Sequence, residues 1–178
     1  GGAVSRKAFA MLVDECVQGG TNVELYEASV TKAQRQFGAE SFPVDTDWTA
    51  SARARSNETL EKLERGIKAA KINSVKEIIR VGQNDLGMFL VQCGRMTQAM
   101  RTFQKNKDYA SAPAHMLEYA RNLLACAVYT SAWTQAGNHV SKLQQYLRKE
   151  SNPTAQAGCY ALNGLVHLNQ SSYHTAAA

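Results

Sequence analysis

The chain has 178 residues, 44% of them hydrophobic and 20% charged, with a formal net charge of +5. That balance supports one ordinary packed core or a piece of a longer array, and excludes a disordered chain. No apolar run approaches the ~20 residues that a bilayer demands, and only three prolines interrupt a composition rich in helix formers.

Residues 4 to 18, "VSRKAFAMLVDECVQ", place Val4, Ala8, Leu12 and Cys16, with Met11 alongside, at helical spacing. "GGTN" breaks that helix, and Thr21 or Asn22 can cap the next. "VELYEASVTKAQRQF" comes next with a looser apolar set, Leu25, Val30, Ala33 and Phe37, so the first two helices predict a hairpin. The linker "GAESFPVDTD" ends it, with Asp45 or Thr46 as the next cap. From Trp48 to about Lys71 the pattern is one long helix with a narrow seam of Leu60, Leu63, Ile67 and Ala70.

Most of the positive charge lies between Arg53 and Arg80, eight basic residues against four acids. Arg53, Arg55, Lys62 and Arg65 are candidate contacts for an acidic partner or a nucleic acid. The competing reading is a solvated face with interspersed acids. A nucleic-acid binder shows a denser patch, so the solvated face is favoured.

Beyond Asn73-Ser74 the sequence turns more apolar, and small residues recur at telling offsets. Leu86, Gly87 and Leu90, then Ala99 and Phe103, match the tetratricopeptide pattern L-G-x2-Y … A-x3-F, with Gln83 where that pattern has Trp. Gly87 and Ala99 are small where two antiparallel helices cross, Leu90 and Phe103 fill the space beside the crossing, and Gly94 takes the turn, where a positive φ is needed. A second unit aligns Leu123 with Leu86, Ala136 with Ala99 and Val140 with Phe103. A third aligns Gly164 with Gly87 and Ala176 with Ala99. The expected fold is therefore all-α, an α-solenoid of antiparallel hairpins. Two parts are expected: a hairpin and linker over 1–45, and the long helix with the tetratricopeptide-like repeats over 46–178. The third counterpart of Phe103 would be residue 180, past Ala178, so a longer parent protein is expected. In the first unit Val81, Asn84, Met88 and Val91 fall on the side where a solenoid docks peptides or helices. The alternative is that they pack on the preceding long helix.

Constellations for catalysis are not found: there is no H-E-x-x-H, no Cys pair, no Walker A loop and no G-x-S-x-G. His115, His139, His167 and His174 are scattered. Of Cys16, Cys93, Cys126 and Cys159, three sit on apolar helical stretches, where a buried reduced thiol is the default, and reduced cysteines suggest a cytosolic or nuclear protein. Tyr109, Tyr119, Tyr129 and Trp133 are expected between helices rather than as stacking platforms.

Asn73-Ser74, Lys76-Glu77, Ile79-Arg80, Gly82, Asp85-Leu86-Gly87, Cys93-Gly94, Ala99-Met100, Phe103 and Lys107-Asp108-Tyr109 together resemble the COP9 signalosome subunit 1 family, as do the later His115, Trp133 and Val140-Ser141-Lys142. The resemblance covers about residues 22 to 178. The paralogous proteasome lid subunit shares the layout. The resemblance implies a non-catalytic scaffold without cofactor or metal, whose helical repeats precede a C-terminal PCI domain that lies outside this sequence. It implies a complex that removes NEDD8 from cullins and so regulates cullin-RING ubiquitin ligases. Its partners would be other signalosome subunits and cullin-RING ligase components, in nucleus and cytoplasm, with no small-molecule substrate and no membrane. The resemblance transfers no partner-binding residue.

Overall fold

Helix boundaries fall where the local chemistry puts them. The structure, a computed structural model, describes residues 2–147 and 153–171. Within these, eight α-helices run in the order α1 (Gly2–Gly19), α2 (Val23–Phe37), α3 (Thr46–Ile72), α4 (Lys76–Gln92), α5 (Met96–Lys105), α6 (Pro113–Tyr129), α7 (Trp133–Leu147) and α8 (Pro153–Asn169). Short 3₁₀ turns occupy Ala39–Ser41 and Asn106–Tyr109. Asn22 caps α2, its side chain accepting from the Leu25 N–H at 2.9 Å, and Asp45 caps α3 by accepting from Trp48 at 2.8 Å. Pro113 opens α6, a position where its missing N–H costs nothing.

The repeat register is visible in the backbone. Helices α4, α6 and α8 each have 17 residues. Their first residues, Lys76, Pro113 and Pro153, stand at the same offsets as Ala99, Ala136 and Ala176. The left-handed residues that end them, Gly94 (φ 77°), Ser131 (φ 56°) and Ser171 (φ 59°), keep these offsets too. The first two turns close in the same way: Arg95 N–H donates to Leu90 O at 2.9 Å, and Ala132 N–H to Ala127 O at 2.8 Å. Ser74 (φ 54°) does likewise after α3, with Val75 N–H donating to Ala70 O at 3.2 Å. Of these turn residues only Gly94 announces a positive φ in the sequence. Ser74 and Ser131 adopt it because the six-to-one hydrogen bond offsets the strain.

Small residues set the crossing of α4 and α5. A Cβ on Gly87 would lie 2.7 Å from both Cδ1 and Cζ of Phe103, so the ring sits directly on the glycine. Ala99 and Ala136 are fully buried. Ile67, Leu86, Leu90, Ala99, Phe103, Leu123 and Cys126 form one core cluster, with Leu60 and Leu63 of α3 against it. Leu124, Ala136, Val140, Leu143 and Val166 belong to the next, and Met100 touches both, so the core runs continuously from α3 to α8. Gly164 lies half-buried in α8, while Ala176 lies outside the described residues. The architecture is an all-α helical repeat.

Helix α1 departs from its apolar pattern. Val4, Met11 and Leu12 are exposed, as is Ala8, and the face turned to α2 carries Phe9, Val13 and Cys16. The reason is in the partner: Phe37 and Phe42 offer rings, and Phe9 meets Phe37 edge-on at 6.1 Å. Leu25 likewise points outward, while Tyr26 is buried and stacks on Trp48 at 4.7 Å. Tyr129 is a further correction, at 64% exposed rather than packed between helices.

Candidate interaction surface

The first helices of the repeats, α4, α6 and α8, share one face. A polar network joins the first two. Arg80 donates to Glu77 at 2.7 Å and to Glu118 of α6 at 2.9 Å. Asn84 donates to Glu118 at 3.2 Å and accepts from Asn122 at 2.8 Å. The Arg80 side chain is only 11% exposed, so its charge is held by two carboxylates rather than by water. Those hydrogen bonds hold the Glu77 carboxyl below the ordinary carboxylate range. Between α6 and α8 lies a cleft of about 470 Å³, walled by Leu117, Arg121 and Leu162 over a floor of Leu143 and Leu147.

The four residues singled out on α4 divide on this face. Val81 and Met88 are exposed at 41% and 44%. Asn84 is engaged by Glu118 and Asn122, and Val91 packs on the core cluster beneath. At the repeat offsets, Met88 is followed by Ala125 of α6 and Leu165 of α8, both exposed, which makes an apolar row across three helices. Glu118 and Asn122 carry no signal in the sequence, and Arg80 stands out there only as a basic residue and as part of the resemblance, not as a member of this network. The one signal for the network was the Glu77/Arg80 spacing on α4; the pairing with α6 is tertiary.

Of the four basic residues singled out on α3, two are paired with acids. Arg53 pairs with Glu27 at 2.6 Å, and Arg65 stands 3.7 Å from Glu61. Arg55 donates to Ser51 at 2.6 Å, and Lys62 is exposed with Glu58 four residues before it. This is an interleaved solvated face. Where the hairpin meets the repeats, two turns interlock. Thr21 donates to Gln92 O at 3.2 Å, and Glu24 lies 4.0 Å from Arg95. The Asn22 amide sits so near Gly94 that a Cβ there would come within 2.5 Å of Oδ1. All four cysteines are buried and unpaired with one another, and burial pushes each thiol up. Among the described residues no group of three or more His, Cys, Asp or Glu side chains could hold a metal ion. No helix among them is long and apolar enough to cross a membrane.

Residues 45–178 match the family described as 26S proteasome subunit RPN7. The chain belongs to the RPN7 family. Its relatives include COP9 signalosome complex subunit 1 of Arabidopsis thaliana, 27% identical over 175 residues, which are 98% of this chain and 39% of that protein. Subunit 1b of Drosophila melanogaster is 28% identical over 82% of this chain and 29% of its own. Subunit 1 of Schizosaccharomyces pombe is 27% identical over 88% of this chain and 36% of its own. The chain thus spans well under half the length of these relatives.

Proposed function

We propose that this RPN7-family chain is the helical-repeat arm of a COP9 signalosome subunit 1. In this reading it is a non-catalytic scaffold that contacts neighbouring subunits. Through them it supports removal of NEDD8 from cullins and the regulation of cullin-RING ligases. The observation that carries the reading is the extent of the similarity. The alignment with the Arabidopsis signalosome subunit takes in 98% of the chain, so it includes α1 and α2, whereas the RPN7 match begins at residue 45. A repeat with a shared helix face, an apolar row and a polar network offers contact surface, which suits an assembly role. The reading carries residence in nucleus and cytoplasm, to be checked by imaging the tagged protein. It also leaves Val81 and Met88 as the surface contacts of the first repeat.

A second reading, the proteasome lid subunit, is favoured by the description of the matching family itself. The deciding experiment is purification of the full-length protein, tagged at its own locus, with identification of the proteins that accompany it. Signalosome subunits with cullins are expected. Proteasome lid and base subunits in their place would transfer the scaffold to the other complex, and neither set would overturn both readings.

A further inference from the structure

The turn between α3 and α4 combines exposed aliphatic side chains with exposed lysines. Ile72 is 83% exposed and Ile78 is 57% exposed, with Val75 between them at 39%. Lys68, Lys71 and Lys76 surround them, all exposed, and none has an ion pair within 4.0 Å among the described residues. Glu64, four residues before Lys68, makes no ion pair with it within 4.0 Å among the described residues; Glu77, beside Lys76, is taken by Arg80. Its charge is therefore not free to neutralise the lysines.

Local stability accounts for only part of this. Lys68 and Lys71 complement the negative end of α3, and Val75 is the apolar residue that a left-handed helix stop favours. Lys76 does the opposite, standing as the first residue of α4, where the helix dipole disfavours a cation. Val75 serves as the α4 N-cap without any side-chain hydrogen bond, at a position where a polar side chain would stabilise the helix start. Ile72 and Ile78 contribute to no core cluster of the described residues. An exposed pair of isoleucines ringed by unpaired lysines is complementary to a segment that alternates apolar side chains with carboxylates.

We propose that the α3–α4 turn docks an acidic, amphipathic segment of a neighbouring subunit. Ile72 and Ile78 receive its apolar side chains, and Lys68, Lys71 and Lys76 receive its carboxylates. The inference rests on the scaffold reading above, since it makes the partner a member of the same complex.

The test uses the complex purified with the full-length protein. A zero-length carbodiimide joins a lysine amine directly to a carboxylate in contact. Cross-links from Lys71 or Lys76 to Asp or Glu of another subunit are the expected result. The Ile72→Asp/Ile78→Asp variant should lower their yield at least tenfold, and Lys71→Glu/Lys76→Glu should loosen the same subunit. Both pairs are exposed, so circular dichroism should report an unchanged helix content. Cross-links from lysines elsewhere on the chain but none from these three would overturn the proposal. So would binding to phosphatidylcholine–phosphatidylserine vesicles that the same variants abolish, because the patch would then face a membrane. If the accompanying subunits are those of the proteasome lid, the signalosome reading fails while the docking test still runs on that complex.

Discussion

The α1–α2 hairpin and the α4–α7 repeats are both antiparallel helix pairs, yet they close their interfaces in opposite ways. The hairpin packs with rings: Phe9 of α1 on Phe37 of α2 at 6.1 Å, extended by Phe37 on Phe42 of the linker at 6.1 Å and by Tyr26 on Trp48 of α3 at 4.7 Å. The repeats use absence of bulk, with Gly87 beneath Phe103 and with Ala99 and Ala136 fully buried. Large apolar side chains of similar volume can replace one another in such a cluster, so it fixes no small residue at a set offset. A glycine under a ring does, because a Cβ there would overlap the ring. That difference explains why the repeats could be read from their small residues, whereas α1 presents outward Val4, Ala8, Met11 and Leu12 of the stripe that its spacing marks as apolar and buries only Cys16 of it.

The largest expected effect separates the two regions directly. Phe103→Ala should cost about 3–5 kcal/mol in denaturant unfolding, as removal of a fully buried ring does. Phe9→Ala, from a ring only partly buried, should cost less than about half as much. Equal losses would erase the distinction. Gly87→Ala comes next, at about 1–3 kcal/mol from overpacking. The sharper measurement is its double-mutant cycle with Phe103→Leu: if the ring is the obstacle, the cost of the new methyl shrinks when the ring is gone. Additive costs would place the strain elsewhere.

Arg80→Ala should cost about 1–3 kcal/mol, since it leaves Glu118 half-buried without its cation. Glu118→Gln in that background should recover part of it. No recovery would mean that the network does not couple α4 to α6. Ser131→Gly is expected to stabilise by about 0.5–1 kcal/mol, because a left-handed non-glycine residue carries strain that glycine lacks. The reverse change at the equivalent position, Gly94→Ser, should destabilise by more than that gain, since its Cβ would also meet Asn22. A neutral result at Ser131 would show that the turn is already relaxed.

The smallest effect is a pH dependence confined to the repeats. Burial, with Lys142 nearby, holds the His139 imidazole below its ordinary value of 6.5, and its Nδ1 has no hydrogen-bond partner among the described residues. The native state therefore binds fewer protons here than the unfolded chain. Stability contributed by neutral His139 is present above about pH 6.5 and is lost as pH falls below it. Thermal melts between pH 7.5 and pH 5.5 should show the decline, and His139→Gln should flatten it. An unchanged slope in the variant would assign the decline to other groups.

Much of the fold was legible because its determinants are local or periodic. Asn22 and Asp45 cap through their own neighbours, and α2 runs from Val23 to Phe37 as its spacing indicates. Gly87, Gly94, Ala99 and Phe103 hold the roles their offsets assign. The interaction face was legible only in outline. Val81 and Met88 are surface, but Asn84 serves a neighbour 38 residues away. Gln83, in the place of the pattern's Trp, is buried with its amide oxygen unpaired, a detail no periodicity reveals.

By itself the sequence determined the helical class, the repeat offsets and the close crossing of α4 with α5, because backbone geometry and steric exclusion act within a few residues or at a constant period. Tertiary structure alone decided which face of α1 is buried, the joining of Arg80 and Asn84 to Glu118, and the seat of Asn22 against Gly94. It also decided that Lys68, Lys71 and Lys76 stand unpaired around Ile72 and Ile78. Each of these depends on which helix arrives opposite, and a charge or an apolar side chain has no fixed meaning until its neighbour across the interface is known.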